Sequence, residues 1–273
     1  GPSFTLFGLH PRHSSFILLL LLLLLLLSST MSLSHPLRSS SPLRSPIKGV
    51  IFDLDGTLLD TETISDLAMI QALKIQNPLK AQLNGRLPWE LKSRILGMRG
   101  SEWSPIVIQY FLTHYGVGDG TAGNEPLSPS KLWGQWETNL STLCANVRAM
   151  KGAPELVEEL RKNQVPMAIA TSSQQDAVEV KRGGHENTIF GKMKVVVTGD
   201  DPAVRRGKPH PDIFLEAASR LGVPPTECLV FEDSMTGIMA GKAAGCQVVA
   251  VPDLRSDMVE FLEVADVVLR SLE

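Results

Sequence analysis

From residue 48 onward the chain alternates short apolar runs with helical patterns, and few folds accommodate that alternation. The runs span 48–53, 166–171, 193–198, 228–231 and 247–251, each four to six residues long and rich in Val, Ile and Ala. Helical patterns lie between them at 155–162, 174–182, 211–221 and 234–244. Strands separated by helices imply right-handed crossovers and a parallel sheet covered on both faces, an α/β fold with a Rossmann-like core. Such sheets place their chemistry at the carboxyl ends of the strands. Asp53, Thr171 and the pair Glu232-Asp233 stand at those ends.

Residues 60–149 interrupt the alternation. They carry helical patterns at 65–75, 88–96, 105–115 and 131–144 and no strand pattern, so a helical insert, in the position of a cap, is expected. It leaves the core at 57–60 and returns near 150–152, which makes 48–59 and 150–273 the core. Inside the insert, Gly118-Asp-Gly120-Thr-Ala-Gly123 spells the dinucleotide pattern G-x-G-x-x-G. That pattern needs a strand before it and a helix after it, and here Asn124-Glu-Pro126 follow in a loop-like stretch, so it is set aside. No G-x-x-x-x-G-K-[ST] phosphate loop occurs.

The first 47 residues read as a leader, low-complexity or targeting, without ordered structure. Residues 16–27 form an apolar run of twelve that includes ten consecutive leucines, shorter than the roughly 20 residues a bilayer span needs. It fits a signal-peptide apolar region, although no small-x-small cleavage site follows, or low-complexity sequence upstream of a start at Met31. Residues 31–48 are rich in Ser and Pro, carry Arg38, Arg44 and Lys48, and precede the first acidic residue, Asp53. That suits a disordered leader or a plastid or mitochondrial transit peptide. Cys144, Cys228 and Cys246 show no C-x-x-C spacing and read as packed thiols of a reducing compartment, which favours the cytoplasm. A net charge of −3 gives no electrostatic grip on nucleic acid and no stable membrane association is expected.

Asp53-Leu-Asp55-Gly-Thr57 sits where a buried strand emerges. Hydrolysis of a phosphate ester needs a nucleophile, a proton donor for the departing alkoxide and charge neutralisation. Asp53 can attack phosphorus, and Asp55, turned beside it by the glycine, can protonate the leaving oxygen and later activate water. Thr171-Ser172-Ser173 offers hydroxyls and turn amides to phosphoryl oxygens. Lys208, held in the stiff proline-bracketed turn Gly207-Lys-Pro-His-Pro211, is a fixed cation. Glu232-Asp233 supplies the carboxylates that Mg²⁺ takes in small number beside water and substrate oxygen.

With these four motifs in this order, the chain resembles the haloacid dehalogenase superfamily over about residues 48–270, and the insert resembles its type-1 cap. The resemblance implies Asp53 as nucleophile, Asp55 as general acid and base, and Thr171, Ser172 and Lys208 as phosphate ligands. It also implies Mg²⁺ on Asp53, the Asp55 backbone carbonyl and Asp233, with Glu232 close by. The stretches Lys181-x-x-x-His185, Gly199-Asp-Asp-Pro-Ala-Val204 and Cys228-Leu-Val-Phe-Glu-Asp233 resemble the pseudouridine-5′-phosphatase branch, which includes glycerol-phosphate and sugar-phosphate phosphatases.

The expected activity is therefore Mg-dependent hydrolysis of a small phosphorylated metabolite through an aspartyl phosphate, pseudouridine 5′-phosphate first and glycerol 3-phosphate second. Arg99 in the insert is the candidate substrate contact. Two other readings stand beside it. A β-phosphoglucomutase-like mutase carries a histidine five residues after the aspartate matching Asp60, where this chain has Ser65. A non-catalytic binding module on the same fold would lack a nucleophile or metal ligand, and here each such position is filled.

Overall fold

The computed structural model describes residues 46–75, 79–95, 100–117 and 127–273, together with a short strand at Leu37–Arg38. Its strands are β1 (Leu37–Arg38), β2 (Gly49–Phe52), β3 (Met167–Ala170), β4 (Val195–Val197), β5 (Cys228–Glu232), β6 (Gln247–Ala250) and β7 (Val267–Val268). Its α-helices are α1 (Thr61–Ala72), α2 (Leu79–Leu83), α3 (Trp89–Ile95), α4 (Gly100–Tyr115), α5 (Pro129–Cys144), α6 (Ala153–Lys162), α7 (Gln175–Arg182), α8 (Asp212–Leu221), α9 (Met235–Ala243) and α10 (Met258–Val264).

All seven strands form one sheet in the order β1-β7-β6-β5-β2-β3-β4. Strands β2 to β7 are parallel, and β1 adds antiparallel to β7. The chain order reverses at β2, which lies between β3 and β5, and that reversal opens a crevice at its carboxyl end.

Strand alternation divides the core between two faces. Val50, Phe52, Ile169 and Phe231 pack on one face with Leu156, Val157 and Leu160 of α6. Ile51, Ala168, Ala170, Val230 and Val248 pack on the other with Phe214 and Ala218 of α8 and Ile238 of α9. The alanines on that face let α8 and α9 approach the sheet closely.

Among the described residues, 61–144 contribute helices and no strand. These helices bury their own cluster, with Met69, Ile70, Leu91, Phe111 and Leu132 at its centre. Asp60 N donates to Arg148 O at 2.9 Å and Met150 N to Leu58 O at 2.9 Å, so the chain leaves and re-enters the core side by side.

Several bounds differ from the sequence expectation for physical reasons. Helix α1 starts at Thr61 rather than 65 because Asp60 caps it, accepting from Thr63 N at 3.2 Å. Helix α4 runs through Pro105, which costs one helical hydrogen bond, and starts at Gly100. Helices α2 and α10, of five and seven residues, and the two-residue strands β1 and β7 are too short for a legible period. Strand β1 falls in the span that composition reads as leader. All three cysteines are free and buried, and no described helix is long and apolar enough to cross a membrane.

Candidate active site

Strand β2 delivers Asp53 directly at the crevice, 5% exposed. The chain then turns on itself: Leu58 N and Leu59 N both reach Leu54 O, and Gly56 N donates to Leu59 O at 2.8 Å. Gly56 holds φ +88°, and a Cβ there would stand 2.2 Å from Asp233 Oδ2. Only glycine fits both the backbone angle and the approach of that carboxylate. The turn sets Asp55 beside Asp53.

Lys208 fills the centre. Its Nζ donates to Asp53 Oδ1 at 2.5 Å, Glu232 Oε1 at 2.7 Å and Ala170 O at 3.2 Å, one acceptor for each proton. Burial works against its charge, but the pull of Asp53 and then Glu232 overrides that and holds its pKa above the ordinary lysine value. Burial raises the pKa of Asp53, with Lys208 opposing and Glu232 and Asp55 reinforcing. Glu232 turns its other oxygen to Ser234, accepting from N at 2.8 Å and Oγ at 2.9 Å. Ser234 Oγ in turn caps α9 by accepting from Gly237 N at 3.1 Å. A Cβ on Gly237 would fall 1.6 Å from Glu232 Oε1, so this first turn must be glycine for the helix to sit over the carboxylate.

Asp55 is held by a second set of donors. Lys181 Nζ reaches its Oδ1 at 2.6 Å, while Ser173 Oγ at 2.6 Å and Thr171 Oγ1 at 3.3 Å reach Oδ2. Lys181 also donates to Ser173 Oγ at 2.9 Å. Burial pushes the Asp55 pKa up, but Lys181 and Ser173 outweigh it and the net direction is down. Ser173 and Lys181 were not singled out as site residues from sequence. A signal existed for Lys181: it shares a face of α7 with buried Val178, three positions earlier, and is itself 6% exposed. Ser172 is exposed and its neighbour supplies the hydroxyl that touches Asp55. His185 Nε2 lies 2.8 Å from Val147 O and ties the end of α7 to the returning chain.

Asp233 Oδ1 accepts from Thr57 Oγ1 at 3.4 Å. Its pKa is raised well above the usual carboxylate range by burial, then by Glu232, Asp53 and Glu62. Four carboxyl groups, Asp53, Asp55, Glu232 and Asp233, thus crowd around two ammonium groups, Lys208 and Lys181, and burial together with that crowding raises the pKa of Asp53 and of Asp233. A divalent cation fits that set of carboxyl oxygens. Among the described residues no three His, Cys, Asp or Glu side chains converge as a metal-holding group.

A cavity of about 400 Å³ opens from Asp55, whose carboxyl is 28% exposed, into the space beneath the insert. Core residues Asp55, Ser173 and Lys181 line one wall, and Glu62, Trp136 and Glu137 of α1 and α5 line the other. Arg99 and the Gly118–Gly123 pattern lie outside the described residues.

Residues 47–245 match the family model described as haloacid dehalogenase-like hydrolase. The (DL)-glycerol-3-phosphatase 2 of Arabidopsis thaliana is 36% identical over 232 residues, 84% of this chain and 89% of that protein. A protein of Drosophila melanogaster named "Probable pseudouridine-5'-phosphatase" is 38% identical over 208 residues, 75% of this chain and 81% of its own length. Among solved structures, a haloacid dehalogenase family hydrolase of Deinococcus radiodurans with bound phosphate and sodium aligns with a TM-score of 0.61 and 26% identity, covering 84% of this chain and 93% of that one.

Proposed function

This chain belongs to the haloacid dehalogenase-like hydrolase family and is a phosphatase, and from that premise we propose that it carries the phosphoryl group on Asp53 before releasing it to water. The observation that carries this reading is the division of labour between two neighbouring carboxylates. Asp53 lies against Lys208 with its back to the sheet, whereas Asp55 faces the cavity. The first is placed to attack phosphorus and the second to meet the leaving oxygen.

In the first step an Asp53 oxygen bonds phosphorus and the ester bond breaks, while Asp55, ionised before substrate arrives and taking up a proton as the anionic substrate binds, gives that proton to the departing alkoxide. In the second, Asp55 takes a proton from water as that water attacks phosphorus, and the Asp53 carboxylate leaves. Ser173 and Lys181 orient Asp55 for both transfers. Thr171, Ser172 and Lys208 offset phosphoryl charge. Bound Mg²⁺, held by Asp53, the Asp55 carbonyl and Asp233 with Glu232 behind them, would supply the remaining neutralisation.

The substrate is a small phosphorylated metabolite, with pseudouridine 5′-phosphate first and glycerol 3-phosphate second. The relatives named for these activities match at least 75% of the chain and support trying both substrates. Arg99 donates to a ribose or uracil oxygen in this reading.

Acid-quenched wild-type protein, stopped during turnover, is expected to carry a phosphoryl adduct in intact-mass analysis. Asp53→Asn keeps the shape and removes the nucleophile, so turnover falls by several orders of magnitude and the adduct vanishes. Substantial turnover by the Asn variant would exclude the covalent route. For the substrate, kcat/KM is compared across pseudouridine 5′-phosphate, glycerol 3-phosphate, uridine 5′-phosphate and hexose 6-phosphates. Equal or faster hydrolysis of the hexose phosphates would displace the nucleoside reading.

A further inference from the structure

We propose that the cavity facing Asp55 accepts a neutral, hydroxyl-bearing leaving group and turns away one that carries a second phosphate. This rests on the phosphatase reading above and adds the charge class of the substrate.

The argument starts from what the cavity offers a ligand. Its volume of about 400 Å³ is at the lower end of small-molecule sites, which run from about 300 to 1,000 Å³, so a sugar or nucleoside fits and a large cofactor does not. The insert wall presents two carboxylates, Glu62 and Glu137, with the hydroxyls of Thr61, Ser65 and Ser141 and the ring of Trp136 between them. Among the described lining residues Lys181 is the only basic one, and its ammonium is already engaged by Asp55 and Ser173. Glu62 pairs with Lys92 at 2.7 Å, and Asp66, which also takes Lys92 at 2.8 Å, has Arg86 at 3.1 Å, whereas Glu137 has no ion-pair partner among the described residues.

Thr61 supplies an independent pointer to a ligand. It is 7% exposed and lines the cavity, yet its Oγ1 has no hydrogen bond of good geometry, although it lies close enough to Asp55 to help hold that carboxylate's pKa down. A buried hydroxyl left without a firm partner is costly unless something else completes it. A substrate hydroxyl does so, and further hydroxyls donate to Glu62 and Glu137 in charge-assisted bonds. A second phosphate meets the same carboxylates as like charge, with no free cation on the described wall to receive it. Discrimination thus comes from repulsion on one side and hydrogen bonding on the other.

The test uses matched pairs on the full chain with Mg²⁺: ribose 5-phosphate against ribose 1,5-bisphosphate, and glucose 6-phosphate against glucose 1,6-bisphosphate. Wild-type kcat/KM is expected to favour each monophosphate by roughly tenfold or more, and raised salt should narrow the gap. Glu137 is exposed on α5, so its replacement leaves the fold intact. Glu137→Gln should shrink the ratio several-fold and Glu137→Lys should shrink it further or invert it. Calorimetric binding of the same pairs to Asp53→Asn reads the preference without turnover. Tenfold tighter binding of the monophosphate by Asp53→Asn, together with a wild-type protein that releases no phosphate from either member, sustains the selectivity and removes the phosphatase reading. Equal turnover or binding of both members, or a ratio that neither Glu137 variant moves, overturns the selectivity and leaves the phosphatase reading standing.

Discussion

The two walls of the cavity are built on opposite principles. On the core side the charged groups meet partners within the protein: Lys208 serves three acceptors, and Asp55 takes three donors. Asp53, Thr171 and Glu232 stand at the ends of strands buried on both faces, and Lys208 and Lys181 are pinned to them and to Asp55, so the geometry is fixed before substrate arrives. On the insert side Glu137 is exposed, Thr61 Oγ1 has no firm hydrogen bond and the wall rides on helices with a core of their own. The difference teaches that the reacting centre is preorganised while the far wall is left for substrate to complete. Variants on the core side should therefore collapse rate or folding, and variants on the insert side should shift preference and affinity.

Lys208→Met tests the core side at its most demanding point. It leaves Asp53 and Glu232 buried without their shared cation, and breaking a buried pair in this way typically costs about 3–5 kcal/mol. Denaturant midpoints should drop accordingly, and phosphate release should fall by several orders of magnitude. A variant of near-normal stability and turnover would show that the preorganised centre is not what runs the reaction.

Metal removal is the next largest effect. Exhaustive chelation should abolish phosphate release and Mg²⁺ should restore it, because the carboxyl groups crowded at the centre otherwise oppose the phosphoryl group. Ca²⁺ should occupy the site without supporting turnover, since its longer, looser shell disturbs the in-line geometry. Full activity in chelator would break the assignment of Asp233.

The same contrast explains what could be read from sequence. Strands β2 to β6 were legible because strands buried on both faces must be nearly continuous apolar runs, and their ends located Asp53, Thr171, Glu232 and Asp233. Lys208 was legible because the two prolines that follow it, Pro209 and Pro211, stiffen its turn. Ser173 was not distinguishable from Ser172, since strand alternation stops at Ala170 and linear spacing no longer says which hydroxyl turns inward. Lys181 lies ten positions beyond Thr171, and only the crossover of α7 folds it back to Asp55. The insert wall was least legible. Its carboxylates and hydroxyls sit on amphipathic helices whose polar face is ordinarily solvated, and only the cavity marks which of them face a ligand.

Ser173→Ala offers a smaller, sharper test of the core wall. The hydroxyl both donates to Asp55 and accepts from Lys181, so its loss lets Asp55 swing while nucleophile and Lys208 stay in place. We expect kcat to fall about 10- to 100-fold, on the scale of a misplaced acid–base group, with little change in KM and no change in the Asp53 adduct's identity. A drop confined to KM would assign Ser173 to substrate binding instead.

The smallest expected effect concerns the link between the two walls. Asp253 follows β6 in the core, and its Oδ2 accepts from Arg86 of the insert at 2.9 Å and from Arg255 at 2.8 Å. Arg255 also donates to Leu87 O at 3.3 Å and lies 4.7 Å from the ring centre of Trp89, so one core loop grips the insert through backbone and ring together. Burial raises the pKa of Asp253, but Arg255 and then Arg86 override it and hold the carboxyl below its ordinary value. A carboxyl depressed in the fold contributes stability that is complete above its unfolded pKa of about 3.9, and that contribution is lost as pH falls through the folded value. Asp253→Asn removes the charge and keeps the shape. Because the carboxylate is 25% exposed, the cost at pH 7 should be only about 1 kcal/mol, read from denaturant midpoints. The deficit should shrink as pH is lowered past about 4, where the wild-type carboxyl itself takes up a proton. Loosening the grip should raise KM a few-fold and leave kcat nearly unchanged, because the insert closes less firmly over substrate while the core centre is untouched. A deficit that grows towards acid pH, or a loss carried by kcat, would mean that Asp253 supports the reacting centre rather than the grip on the insert.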